Sequence, residues 1–408
     1  MTEQNNALRR QEARFGHRMI YLDNAAATRL AAEAAEAMLP YLTENYGNPS
    51  GIYSLGAAAK KAVSEARRAV AGVIGARQEE IYFTSGGTES DNWALKAAAE
   101  GCRDRGRHII TTRIEHHAVL NTCKYLEGRG FEVEYLDVDG NGLVDPERLK
   151  AAIRPDTVLI SVMFANNEIG TVQPIGRIGG IARERGILFH TDAVQAFGQI
   201  PIDVEALKID MLSASAHKLN GPKGAGMLYI RSGIKLPSFL HGGAQERNRR
   251  AGTENVPAIV GFGAAAKRAA GIMEEKARRE TELRDYLIGR IESEIPLCRL
   301  NGDRRQRLPG NAHFSFPYVE GESVLIMLDM RGICASSGSA CASGSKDPSH
   351  VLLAIGLSQD EARGSLRLTL SEENTREEMD ETVECLKEII RKLRDMSPLY
   401  HSWINTLS

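Results

Sequence analysis

Nowhere in the chain do two cysteines stand as a CxxC pair, and the six present (Cys102, Cys123, Cys298, Cys334, Cys341, Cys385) are scattered. That argues against a disulfide framework or a zinc site and fits a reducing cytoplasm. No run approaches the roughly 18–20 apolar residues of a membrane span. The N-terminal MTEQNNALRRQEARFGHR lacks the apolar core of a secretory signal and reads as a polar arm. Neither sign of charge is in excess. Lys and Arg number 51 against 53 Asp and Glu, a net charge of −2, which argues against a general binder of nucleic acid or membrane surfaces. Two arginine-rich pieces, QERNRR (245–250) and DRRQR (303–307), are short enough to read as solvated loops. No internal repeat or low-complexity linker interrupts the 408 residues, which suffice for one large or two medium domains around sizeable cores.

Short β-branched runs alternate with helical periods from about residue 20 to 230. The runs 81–85, 108–112, 158–165, 187–192, 211–215 and 226–230 read as buried strands. ESDNWALKAAAEGC and IGRIGGIARERG are amphipathic helices between them. Such alternation predicts an α/β layer structure with a mainly parallel sheet. After about residue 255 the pattern changes to a long helix near 257–293, strands at 311–316 and 365–370, and a terminal helix near 373–394. The reading is a large α/β domain over 19–256. A smaller α+β domain takes 1–18 and 257–408, with the long helix as the hinge.

Open α/β sheets bind ligands at the carboxyl ends of their strands, so the polar residues just past each strand are the candidates. Gly86, Gly87, Thr88 and Glu89 follow the first run, where a helix start suits either an ordinary cap or a phosphate. His116 and His117 follow the second and cannot both point at one site. Asn166 and Asn167 follow the third, as amide donors or as turn formers. Asp192 ends a buried apolar run and requires a cationic partner; Gln195 comes one turn later. SASAHKLNGPKGAG is the most specific piece. Ser215, His217 and Lys218 follow a strand, and a lysine there suits a Schiff base. An aspartate on one strand end and a lysine on a later one match the division of labour in pyridoxal-phosphate enzymes, where the aspartate holds the ring nitrogen protonated.

YLDNAAAT (21–28), TSGGTESDN (84–92), NNEIG (166–170), HTDAVQ (190–195), SAHKLNGPKG, GGAQERNRRAGTENV (242–256) and SSGSAC (336–341) together resemble cysteine desulfurases. The resemblance runs from about Ile20 to Leu370. It implies the pyridoxal-phosphate-dependent transferase fold of the aspartate-aminotransferase type, with a large mixed-sheet domain, in its class V branch. It implies pyridoxal 5'-phosphate as cofactor, no metal, L-cysteine as substrate and a homodimer. Carried over by position, Lys218 would bond the cofactor and Asp192 would pair with its ring nitrogen. Gln195 would reach the ring oxygen, and His116 would stack on the ring and move protons. Gly87, Thr88, Ser215 and His217 would bind the phosphate, with Thr253 supplied by the second subunit. Asn167 and Arg367 would grip the substrate carboxylate. Cys341 would take the sulfur, and SSGSACASGSKDPSHVL resembles the group with a long cysteine loop that feeds iron–sulfur assembly and thiolation acceptors. Its glycine- and serine-rich composition suits an atom that must serve two places. The alternative within enzymes is a selenocysteine lyase or another class V lyase or aminotransferase.

Overall fold

The computed structural model describes residues 19–337 and 348–407. It divides into two compact units. The larger consists of Ala27–Asn167 and Thr171–Glu274; the smaller takes the residues up to Ala26, Glu168–Gly170, and Glu275 onward. The division therefore falls inside the helix Val256–Glu294, about 18 residues beyond the expected boundary at 256. Residues 19–26 belong to the smaller unit because the strand Ile20–Tyr21 pairs there with Ile333–Cys334.

The larger unit is built on seven strands: β2 (Ile81–Thr84), β3 (His108–Thr112), β4 (Glu132–Leu136), β5 (Thr157–Ser161), β6 (Leu188–Asp192), β7 (Met211–Ser215) and β8 (Gly226–Ile230). Their order is β2-β8-β7-β6-β5-β3-β4. β8 runs antiparallel to both its neighbours and the other pairs are parallel, so the sheet is mixed. Every residue of β2, β3, β5, β7 and β8 is buried, which explains their near-continuous apolar runs. β4 escaped the sequence reading. It is the edge strand of the sheet, with charged or half-exposed positions alternating along it, so it carries no apolar run. The long run at 158–165 is a strand only to Ser161. Beyond it Val162 and Phe164 bond the carbonyls of His190 and Asp192, and Ala165 bridges Val172, turning the chain back. One core of this unit centres on Trp93, which is fully buried, edge-on to Tyr82 at 5.5 Å and stacked on Phe239 at 6.1 Å.

The smaller unit has its own core around Phe314, Phe316, Leu366, Leu368 and Leu386. A three-stranded antiparallel sheet, β12 (Ser365–Thr369), β10 (Asn311–Ser315) and β9 (Arg299–Leu300), carries most of it. The helix Arg376–Asp395 starts with a capping box between Thr375 and Glu378. Acidic residues in its first turn and basic residues in its last complement the helix dipole. A further helix, Pro398–Leu407, extends past the expected end. Val256–Glu294 is long and apolar enough to cross a membrane by length and composition, but half of its apolar stretch is buried inside the protein, as in a core helix.

QERNRR is not a solvated loop. Glu246 is buried and accepts both Arg67 Nη atoms at 2.7 Å and the Phe83 N–H at 3.0 Å. Arg247 donates to the Ile81 carbonyl, and Arg250 pairs with Glu89 at 2.7 Å. DRRQR is divided: Arg304 and Arg305 are exposed, while Arg307 is buried and donates to the Asn301, Asp303 and Asn311 carbonyls. Charge patterning registers a run of arginines but not the acceptors that folding brings to them. Arg67→Leu strands the Glu246 carboxylate in the interior and is expected to destabilise the larger unit by about 3–5 kcal/mol, read from its urea midpoint. A loss below about 1 kcal/mol would show that the pair stabilises little.

Candidate active site

Five strands of the larger unit deliver polar residues at their carboxyl ends. Register accounts for the nearest pair: Thr84 and Ser215 both lie opposite Gly226, so the ends of β2 and β7 flank the start of β8. Gly226 has no room for a side chain, since an added Cβ would stand 2.5 Å from the Cα of Gly86. Gly86 itself has φ 156° and ψ −178°, a region open to glycine almost alone. A Cβ on Gly87 would stand 2.5 Å from Val194 Cγ2. The helix Gly87–Gly101 begins here without a side-chain cap, so its first N–H groups have no acceptor in the helix. Ser215 Oγ lies 3.8 Å from where a Gly86 Cβ would be. His217 Nδ1 is buried and has no hydrogen-bond partner among the described residues. Open N–H groups, a hydroxyl and an unsatisfied ring nitrogen around a glycine hollow suit a phosphate ester. Thr88 is exposed in the first turn of that helix.

Lys218 ends a short helical turn, Ala216–Lys218, directly after β7. The turn is clamped by a residue that the strand-by-strand reading passed over. Thr28 donates its hydroxyl to the His217 carbonyl at 2.8 Å and accepts the Asn220 N–H at 2.8 Å. Gln199 donates to the Lys218 carbonyl at 2.9 Å. Burial, then Lys218, then Lys223 hold the His217 imidazole down at about 4, so it is neutral at physiological pH.

Asp192 closes β6. Burial pushes its carboxyl up, and His116, the Val194 N–H at 2.9 Å and Lys218 pull it back toward the ionised form. Side-chain atoms of Asp91, His116 and Asp192 lie within 4.8 Å of one another. His116 caps the helix His117–Glu127, its Nδ1 accepting the Ala118 N–H at 3.1 Å, so the neutral ring carries its proton on Nε2. His117 is tilted 59° to it at 6.4 Å, which separates the two adjacent histidines. Gln195 is half-buried in the turn after β6. Asn166 is structural, donating to the Ile114 carbonyl at 2.9 Å; Asn167 is half-buried beside it. Thr253 is exposed, in the segment that follows the Arg250–Glu89 pair.

Arg367 belongs to the smaller unit, on β12, and is 1% exposed. The sequence offers it no neighbouring countercharge; folding supplies one, Asp23, whose Oδ1 accepts Arg367 Nη2 at 2.9 Å. His313 lies opposite it in the sheet, its imidazole held down at about 3 by burial and by the Arg367 and Arg307 charges. The backbone of Arg367 pairs with Ser336, and Ser365 Oγ donates to the Ser337 carbonyl at 2.6 Å. The chain is anchored again where Ser349 donates to Glu168 at 2.5 Å. Cys341 lies between these anchors, outside the described residues.

Lys218, Asp192 and the glycine hollow thus stand at the carboxyl ends of strands of one sheet, and this donor set fits pyridoxal phosphate. The family model for class-V aminotransferases matches residues 20–382. The cysteine desulfurase IscS of Methanosarcina thermophila is 56% identical over 391 residues, covering 96% of each chain. That of Dictyoglomus turgidum is 53% identical over 95% of this chain and 98% of its own. Among solved structures, a NifS-like protein superposes with a TM-score of 0.86 at 40% identity over 91% of this chain and 99% of its own. SspA, solved in complex with cysteine, gives 0.77 at 39% identity over 87% and 100%. The mixed sheet with its companion helices is accordingly the pyridoxal-phosphate-dependent transferase fold, and the chain belongs to the class-V aminotransferase family, as one of its cysteine desulfurases.

Proposed function

We propose that the protein takes the sulfur of L-cysteine onto Cys341, releases L-alanine, and passes the sulfur to an acceptor protein of iron–sulfur assembly or thiolation, as a cytoplasmic homodimer. The observation that carries the residue roles is that Asp192 ends β6 and Lys218 follows the adjacent β7, where the Lys218 charge acts on the Asp192 carboxyl. Lys218 would bond the cofactor aldehyde and Asp192 would pair with its ring nitrogen. His116 would stack on the ring and move protons, and Gln195 would reach the ring oxygen. Gly87, Thr88, Ser215 and His217 hold the phosphate. Exposure of Thr253 on its own chain supports its service to the site of a second subunit.

Pyridoxal phosphate, when bound, supplies an electron sink that lets the substrate α-proton leave and weakens the carbon–sulfur bond. The Lys218 amine takes that proton, with His116 Nε2 as the second proton carrier. Asn167 and the planar fork of Arg367 hold the substrate carboxylate. The Cys341 thiolate then attacks the substrate sulfur. An S–S bond forms, the C–S bond breaks, and its electron pair stays with the carbon fragment, which leaves as L-alanine after protonation. Burial raises the other five thiols, Cys102, Cys123, Cys298, Cys334 and Cys385, so none of them is primed as a nucleophile at neutral pH. The sulfur acceptor is supported by the IscS relatives, and cysteine as ligand by the SspA complex.

Cys341→Ser is expected to keep the colour of the bound cofactor while sulfide release from L-cysteine falls by about a thousandfold or more. Undiminished release would move the sulfur to another thiol. In Lys218→Ala, borohydride should no longer fix cofactor to the protein, as measured by mass spectrometry; fixation at full yield would place the imine elsewhere. Replacing the planar fork in Arg367→Lys should raise KM for L-cysteine about tenfold or more with kcat within about threefold. An unchanged KM would remove Arg367 from carboxylate binding.

A further inference from the structure

Behind Asp192 lies a second acid that the roles above leave unused. Asp91, in the helix Gly87–Gly101, is 1% exposed. Its side chain lies within 4.8 Å of those of Asp192 and His116. Its Oδ1 has no hydrogen-bond partner among the described residues and stands 3.6 Å from His190 Nε2. His190 and Asp192 are two apart on β6 and so share a face of the sheet. The His190 ring is held between Ser161 Oγ at 2.9 Å, on β5, and Ser213 Oγ at 3.0 Å, on β7. The Ser213 hydroxyl also acts on the Asp91 carboxyl, pulling it down, but less than burial and the Asp192 charge push it up. A buried chain of polar groups thus crosses three strands and ends at the acid beside Asp192.

Two interior carboxylates this close do not both ionise; one keeps a proton. Their surroundings differ. Asp192 has Lys218 and a backbone N–H. Asp91 faces Asp192 and Glu115, both acidic, and a His190 that burial holds neutral, at about 3. His116, in the same cluster, draws Asp192 toward its ionised form and not Asp91. Burial pushes the Asp91 carboxyl well above the usual range, and the charge of Asp192 pushes it further. An ionised Asp91 would also leave Oδ1 charged and unsatisfied in the interior.

We propose that Asp91 is a positioning residue: a neutral carboxylic acid, seated beside His190 and clustered with Asp192, that fixes Asp192 in place and leaves the negative charge of the pair on it. The inference rests on Asp192 being the partner of the cofactor ring nitrogen. Asparagine copies the shape and neutrality of the protonated acid, whereas alanine removes the support.

The test follows the absorbance of the bound cofactor against pH, and cofactor affinity by equilibrium dialysis, in the holoenzyme and in D91N, D91A and D192N. D91N should keep the absorbance midpoint within about 0.3 pH unit and affinity within about threefold, while D192N moves the midpoint by about one unit or more. D91A should weaken cofactor binding by about tenfold. A D91N profile that matches that of D192N would show that Asp91 carries charge and overturns the proposal. A silent D91A also overturns it. Should D91A fail to fold, the comparison of D91N with D192N decides alone. A silent D192N removes the reading of Asp192 itself, an outcome distinct from failure at Asp91. Stoichiometric divalent metal in the purified protein, found by elemental analysis, would assign the three clustered side chains to an ion instead and overturns the proposal as well.

Discussion

A negative charge at the end of a buried strand is the constraint around which the larger unit is arranged. Asp192 follows three buried residues of β6, where an unpaired carboxylate would be expensive. The fold answers with Lys218 from the next strand, His116 from a helix start and the Val194 N–H from its own turn. The remaining ionisable groups nearby stay neutral: His190 and His217 through burial, Asp91 and Glu115 by keeping their protons. A carboxylate held in its ionised form in the interior suits a ligand of the complementary sign, such as a protonated pyridine.

The phosphate end obeys steric rather than electrostatic rules. Gly86, Gly87 and Gly226 are glycines because a Cβ at any of them meets either a forbidden backbone region or another chain segment. The close approach of Gly226 to Gly86 sets β8 beside the start of the helix, and the reversed direction of β8 is what lets the ends of β2 and β7 meet there. Thr28 and Gln199 hold the backbone of the lysine turn through the His217 and Lys218 carbonyls and the Asn220 N–H.

Much of this was legible in the residues. Buried strands write themselves as apolar runs, and β3, β7 and β8 fall where those runs fall. The strand-end rule then pointed to Asp192, Lys218 and the pair His116 and His117, and the resemblance chose His116 from the pair. Other features had no signature. β4 sits at an edge and needs no apolar run. Glu246 and Arg307 look like members of solvated charged loops, because their partners, Arg67 and the Asn301 and Asn311 carbonyls, are brought to them only by folding. Asp23 and Arg367 are 344 residues apart, yet make one buried ion pair.

The sequence by itself determined the layer architecture, the glycine hollow, the lysine and the acid. These follow from local pattern: strand periodicity, residue types that tolerate only certain backbone angles, and reactive groups at fixed offsets from strand ends. Tertiary structure alone decided which of the buried acids is charged and which arginine is paired. Protonation and pairing depend on distances between segments far apart in the chain, and on the water that packing removes from them.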